Sequence, residues 1–154
     1  MNKLLLLFRE NHVDYLLYEH EPVYTSEQAS KVRGVELKTG VKALLVRKVK
    51  EQQFFLADIA ADRKMDFRKL EKLAGSRKIR FGTRDEVISV TKCEPGSVHP
   101  FGKLFGIETY LDESVLQNEF ANFNIGLLTR SVRIRVDDLI RVLKPTMIGN
   151  FAKA

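Results

Sequence analysis

The sequence has a single cysteine, Cys93, among its 154 residues, and only three histidines, at positions 12, 20 and 99. One thiol excludes an internal disulfide, and histidines so dispersed lack the spacing of a zinc site. No metal and no cofactor is expected. No stretch approaches the roughly 18 consecutive apolar residues that cross a bilayer. The run from Leu4 to Phe8 is too short for a secretory signal and lacks a small-residue cleavage site. A soluble, cytoplasmic protein with no membrane partner is expected. Repeats, low-complexity tracts and linker-like segments are missing as well. Residues 1–154 are therefore expected to form a single domain, of a size that a 44% hydrophobic content can fill.

Charge, by contrast, is plentiful and uneven. The net formal charge is +6. Between Arg63 and Arg80 stand eight basic residues against Asp66 and Glu71, so this one segment accounts for the whole excess. Such a cluster is either a solvated helix face or a surface for a polyphosphate partner, whose condensed counterions would be released on binding.

The pattern of residues predicts short elements in alternation. Asn2 to Glu10 reads as a helix and Val13 to Glu19 as a strand. Thr25-x-x-Gln28 has capping-box spacing and Gly34 a stop, which predicts a helix over Ser26 to Arg33. Lys42 to Val49 and Gln53 to Ile59 read as a hairpin. Asp66 is placed to cap a basic amphipathic helix with Phe67, Leu70, Leu73 and Ala74 as its stripe, ended by Gly75. Lys78 to Phe81 is a brief strand, and Thr83-x-x-Glu86 opens another capped helix. Strands follow over Thr109 to Leu111, Ala121 to Ile125 and Leu128 to Val136, with a helical turn from Asp112. Asp137 is expected to cap a last helix that closes at Lys144 before Pro145. Hairpins mixed with short helices predict an α+β fold with a mixed, largely antiparallel, barrel-like sheet.

Some motifs fail on their spacing. Gly96 to Lys103 has five residues between its glycines where a phosphate loop has four, and Leu104 stands where a magnesium ligand belongs. Ser89-x-x-Lys92 and Lys38-Thr39-Gly40 occur in the wrong order for a penicillin-binding signature. Cys93 reads as a small core residue in the absence of a partner histidine placed by the fold.

Two features carry chemistry. Lys42 shares a strand face with Leu44 and Val46, so it either snorkels at the strand edge or is a fixed cation at a pocket mouth. Gly96-Ser97-Val98-His99-Pro100-Phe101-Gly102 is either a tight connection or a loop whose amides face a ligand. His99 is either a surface residue or an acid–base group. Taken together they suggest a pocket for an anionic or carbonyl-bearing group.

The order Tyr18-Glu19-His20-Glu21-Pro22, Lys42-Ala43-Leu44-Leu45-Val46, Met65-Asp66-Phe67-Arg68-Lys69-Leu70 and Gly96 to Gly102 resembles the YbaK family, across nearly the whole chain. Relatives include the editing domain inserted in bacterial prolyl-tRNA synthetases. The resemblance implies an enzyme that hydrolyses the ester of mischarged tRNA, most often tRNA(Pro) carrying cysteine or alanine. It also implies a barrel-like sheet wrapped by helices. Mischarged tRNA, not DNA, is the implied partner, with an aminoacyl-tRNA synthetase as a further one. The family lysine maps onto Lys42, and the family loop onto Gly96 to Pro100. Pocket aromatics fall on Tyr18 and Tyr24. Two departures stand out: Ile125-Gly126 and Ser131 occupy positions where the cysteine-specific branch has Gly-Gly and an aspartate, and His99 replaces a small residue before Pro100.

An aminoacyl ester is already activated, so the enzyme must chiefly place a nucleophile and stabilise an oxyanion. Lys42 would hold the terminal phosphate or orient the aminoacyl end, while the amides of Gly96 and Ser97 would receive the carbonyl oxygen. Val98, His99, Pro100, Gly126 and Ser131 join the two tyrosines as expected substrate contacts. Arg68, Lys69 and Lys72 are the expected tRNA contacts. A non-catalytic tRNA-binding module of the same fold is the alternative.

Overall fold

The computed structural model describes residues 2–154. Helix α1 (Lys3–Glu10) begins at Asn2, whose side chain accepts the amides of Leu4 and Leu5, and it buries Leu4 and Phe8. Phe8 meets Phe101 and Phe123 edge-on, at centroid distances of 5.5 and 6.5 Å. Burying a side chain of this size contributes roughly 1.5–3 kcal/mol.

Strand β1 (Leu16–Glu19) leads to α2 (Ser26–Arg33), whose Thr25 cap accepts from the Gln28 amide while Gly34 terminates it at φ +68°. Strands β2 (Val41–Lys48) and β3 (Gln53–Ala60) form the expected hairpin. Helix α3 (Phe67–Ala74) is capped by Asp66 and stopped by Gly75. Strand β4 (Ile79–Phe81) and α4 (Arg84–Thr91), with both halves of its capping box made, complete the first half. Strands β5 (Glu108–Asp112), β6 (Phe120–Leu127) and β7 (Arg130–Arg135) then precede α5 (Val136–Leu143) and β8 (Met147–Gly149).

The strands make two sheets, β1-β7-β6 and β4-β2-β3-β5-β8. Pairs β1/β7, β6/β7, β2/β3 and β2/β4 are antiparallel, and β3/β5 and β5/β8 are parallel. The α+β, mostly antiparallel arrangement is as expected. It is not a closed barrel: each sheet has free edges, and the two touch through a bridge between Gly40 and Asn122. A Cβ at Gly40 would stand 3.0 Å from that of Ala61, so the residue before β2 lies against the residue after β3 more closely than a side chain there would readily allow.

Several expected boundaries shift, three of them for a visible reason. The first strand starts at Leu16, because the Val13 amide is still held by the Phe8 carbonyl. The strand expected from Leu128 begins at Arg130, since the carbonyls of Leu128 and Thr129 accept from Val23 and His20. Asp137 is not the cap of α5: Arg135 occupies that place without a side-chain bond, and Asp137 and Asp138 lie in the first turn. Carboxylates there still complement the helix dipole.

Beyond β8 the tail is tied back onto the body of the protein. The Phe151 amide donates to Asp112 Oδ1 at 2.7 Å, and the Phe151 carbonyl accepts from Asp66. The Lys153 amide donates to the Lys64 carbonyl, so the tail runs antiparallel to residues 64–66.

Candidate active site

Where α2, the start of β2 and the Gly96 loop converge, they enclose a cavity of about 160 Å³. Val23, Ala29, Val41, Ala43 and Val98 supply its apolar wall, and Thr25, Ser26, Ser30, Asn124, Arg33 and Lys42 its polar one. Among the described residues, no carboxylate, histidine or cysteine lines it.

Lys42 stands at this boundary, as its strand position suggested. Its Nζ donates to the Arg63 carbonyl, which uses one of three donors and leaves two for a ligand. Burial lowers its pKa below the ordinary lysine value; Glu27 and Asp62 oppose the effect and Lys64 reinforces it.

Arg33, the last residue of α2, is a second cation in the wall. Burial lowers its pKa to about 10, against the raising influence of Tyr18. Its Nη2 donates to Asn124 Oδ1 at 2.7 Å, while its buried Nε has no partner among the described residues. A buried donor without a partner is costly, and this one belongs to a side chain that lines the cavity.

Asn124 ties the site together. Its Nδ2 donates to the Gly96 carbonyl at 3.0 Å, and its Oδ1 accepts from both Arg33 and Ser131 Oγ, the latter at 2.8 Å. Ser131 Oγ in turn lies 2.7 Å from His20 Nε2, and His20 Nδ1 is 2.8 Å from the Glu21 carbonyl. Strands β1, β7 and β6, helix α2 and the loop are thus joined through one amide side chain.

The loop is held in an unusual shape. Gly96 has φ +90°, and Gly126, also at φ +90°, donates its amide to the Ser97 carbonyl at 2.9 Å from the bulge between Asn124 and Leu127. Gly96 and Val98 line the cavity, and their amides make no hydrogen bond among the described residues.

Ser97 behaves differently from expectation: its amide and its Oγ both donate to the Glu94 carbonyl, at 3.0 and 2.7 Å, so neither faces the cavity. His99 and Pro100 are buried but do not line it. His99 is stacked on Phe105 at 4.5 Å and accepts the Phe101 amide through Nδ1. With Gly126 and Cys93 it lines a separate cavity of about 390 Å³. Burial lowers the His99 pKa to about 4.

Of the two tyrosines, Tyr24 lines the cavity with its ring 66% exposed. Tyr18 faces Ser131 across the β1–β7 pair and does not line the cavity. Among the basic residues of α3, Arg68 and Lys72 are exposed. Lys69 is half-buried, and its Nζ spends one of its three donors on the Ala152 carbonyl at 2.7 Å.

Sequence reasoning missed Arg33 and Asn124. One signal for Asn124 was present: Asn122 and Asn124 alternate with Ala121, Phe123 and Ile125 in a strand buried on both faces. Asparagine is depleted in strands, and a buried one needs partners.

The chain is similar in sequence and in fold to known proteins. Prolyl-tRNA editing protein ProX of Acetoanaerobium sticklandii is 30% identical over 149 residues, covering 94% of this chain and 90% of that protein. Multifunctional Ser/Thr-tRNA deacylase ProXp-y of Escherichia coli K12 is 31% identical over 152 residues, covering 96% and 90%. The fold matches the crystal structure of a candidate trans-editing enzyme for prolyl-tRNA synthetase with a TM-score of 0.84, at 21% identity over 98% of this chain and 95% of that one. The model of the aminoacyl-tRNA editing domain matches residues 20–142, a span that holds Lys42, Arg33, the Gly96 loop and Asn124, and the chain belongs to that family.

Proposed function

We propose that this protein is an aminoacyl-tRNA deacylase acting in trans, hydrolysing the ester between a small, wrongly attached amino acid and the tRNA 3′ end. The observation that carries this reading is the cavity flanked by Lys42 and Arg33 with no carboxylate in its wall. It has room for an aminoacyl group, and its two cations suit a carbonyl and a phosphate. At about 160 Å³ it is smaller than the 300–1,000 Å³ typical of sites that enclose a drug-sized ligand. The nucleoside therefore stays outside.

The wall offers no histidine, cysteine or carboxylate as nucleophile or base. The attacking oxygen then comes from a held water or from the substrate, and the free amides of Gly96 and Val98 replace the Gly96–Ser97 pair as donors to the developing oxyanion. Lys42 orients the terminal phosphate or the aminoacyl end.

Cys- or Ala-tRNA(Pro) is the substrate that the family resemblance favours. A second reading, Ser- or Thr-tRNA, is supported by the hydroxyls of Thr25, Ser26 and Ser30 in the wall and by the Ser/Thr-tRNA deacylase among the relatives. Purified protein incubated with tRNAs mischarged with Ala, Cys, Ser or Thr should release one of these amino acids well above the spontaneous rate and spare prolyl-tRNA(Pro). Tight tRNA binding with no release on any of them would replace this reading with the non-catalytic one.

A further inference from the structure

Outside the cavity, and sharing Lys42 and Leu44 with it, runs an open groove of about 610 Å³. We propose that this groove binds the 3′-terminal nucleotides of the tRNA, with the last base stacked on Phe81, the last phosphate near Lys42 and the phosphates before it held by Lys64, Arg68 and Lys153; the proposal rests on the deacylase reading above.

The groove is built from three segments that the fold brings side by side. Residues 64–68, Phe81 at the end of β4 and Lys153 of the tail line it, together with Lys42 and Leu44 of β2. The hydrogen bond from the Lys153 amide to the Lys64 carbonyl sets these two lysines next to each other. Lys64, Arg68 and Lys153 are all exposed, and Lys42 completes a set of four cations. Asp66 is the one carboxylate in the lining, and its Oδ1 already accepts the Lys69 amide as helix cap. Four cations against one occupied carboxylate suit a polyanion.

The aromatic component narrows the ligand. Phe81 is 49% exposed and is held edge-on by Phe67, with ring centroids 4.9 Å apart and planes at 82°. A half-exposed phenyl ring fixed by a neighbour presents a face to solvent at little entropic cost. Single-stranded nucleic acid is bound by this combination of a basic track and a stacking ring. Continuity through Lys42 then gives the order along the ligand: the aminoacyl group in the inner cavity, the terminal phosphate near Lys42, and the base in the groove.

The chain has no tryptophan, so Phe81→Trp provides a single fluorescent reporter. A short RNA oligonucleotide with the sequence of the tRNA 3′ end should quench it saturably. Phe81→Ala should raise KM for mischarged tRNA roughly tenfold, as loss of one base–aromatic stack does, and Phe81→Tyr should recover it. Arg68→Ala and Lys153→Ala, at exposed side chains that the fold does not need, should each reduce the slope of log K against log salt by about 0.7. An oligonucleotide that leaves the Phe81→Trp emission unchanged, a KM unaltered in Phe81→Ala, or unaltered salt slopes would overturn the groove; should Phe81→Ala fail to fold, the reporter and the two cation variants decide. A wild-type protein that hydrolyses no mischarged tRNA defeats the deacylase reading by itself, and quenching and salt dependence then decide the groove alone.

Discussion

Replacing His99 by glutamine should change how the stability of this protein depends on pH. The His99 ring is only 5% exposed, stacked on Phe105 and hydrogen-bonded to the Phe101 amide as an acceptor. A proton on Nδ1 would abolish that bond and place a charge among apolar neighbours, and burial accordingly lowers the pKa from 6.5 to about 4. In the unfolded chain the ring binds its proton near the ordinary value, so the unfolded state takes up more protons than the folded one between these limits. Stability from this group is thus full above about pH 6.5 and is lost as pH falls toward 4. At about 1.4 kcal/mol per pH unit, the interval from 6.5 to about 4 corresponds to about 3 kcal/mol. That is a large part of the 5–15 kcal/mol typical of a folded protein. Equilibrium urea unfolding of both proteins at about pH 7.5, 5.5 and 4 measures it. His99→Gln should be the less stable at pH 7.5, through the lost stack, and the gap should close by about 3 kcal/mol by pH 4. Parallel curves for the two proteins would show that His99 does not titrate abnormally, and the reasoning from its burial would fail.

Three other outcomes are expected. Lys42→Ala should abolish most single-turnover deacylation while circular dichroism stays native, and Lys42→Arg should recover little, because a planar guanidinium cannot replace a compact ammonium bonded to the Arg63 carbonyl; a folded, fully active Lys42→Ala would remove it from the site. Asn124→Ala should cost about 1–3 kcal/mol in chemical denaturation, by stranding Arg33 and the Gly96 carbonyl, and should lower kcat/KM, whereas an unchanged rate would mean the loop holds its shape alone. Asp58 is fully buried, both its carboxylate oxygens are unpartnered among the described residues, and burial raises its pKa well above the ordinary value; the folded protein therefore favours the neutral acid, and its stability falls as pH rises above about 4. Asp58→Asn should gain on the wild type as pH rises above about 4 in the same unfolding assay, and a gap independent of pH would refute this.

Local signals in the sequence located elements well and contacts poorly. Thr25-x-x-Gln28 with Gly34, Asp66 with Gly75, and Thr83-x-x-Glu86 each fix a helix through bonds between near neighbours, and all three helices lie where those residues put them. Lys42 at the cavity mouth was legible for a similar reason, since a lysine in an apolar strand is conspicuous. By contrast, β8 has three residues and exists because β5 offers a parallel edge. Nothing in Ser97 itself shows that its amide turns back on Glu94, and nothing in Lys69 shows that the Ala152 carbonyl accepts a hydrogen bond from its Nζ. Asn124 and Arg33 are joined across 91 positions of sequence, a separation that no periodicity encodes.

The pairing of Met65 with Ala152 and of Lys64 with Lys153 has a temporal side. More than half the chain lies between the partners, and synthesis runs from the first to the last. While a ribosome is still making the intervening strands, α3 and Phe67 lack the segment that closes their flank, and closing so long a loop carries a large entropic cost. The inner cavity draws all its lining from residues 23–124, whereas the groove has to wait for Lys153. A nascent chain would thus complete the inner cavity before the groove, and the nucleotide binding we propose for the groove would follow the cavity in time.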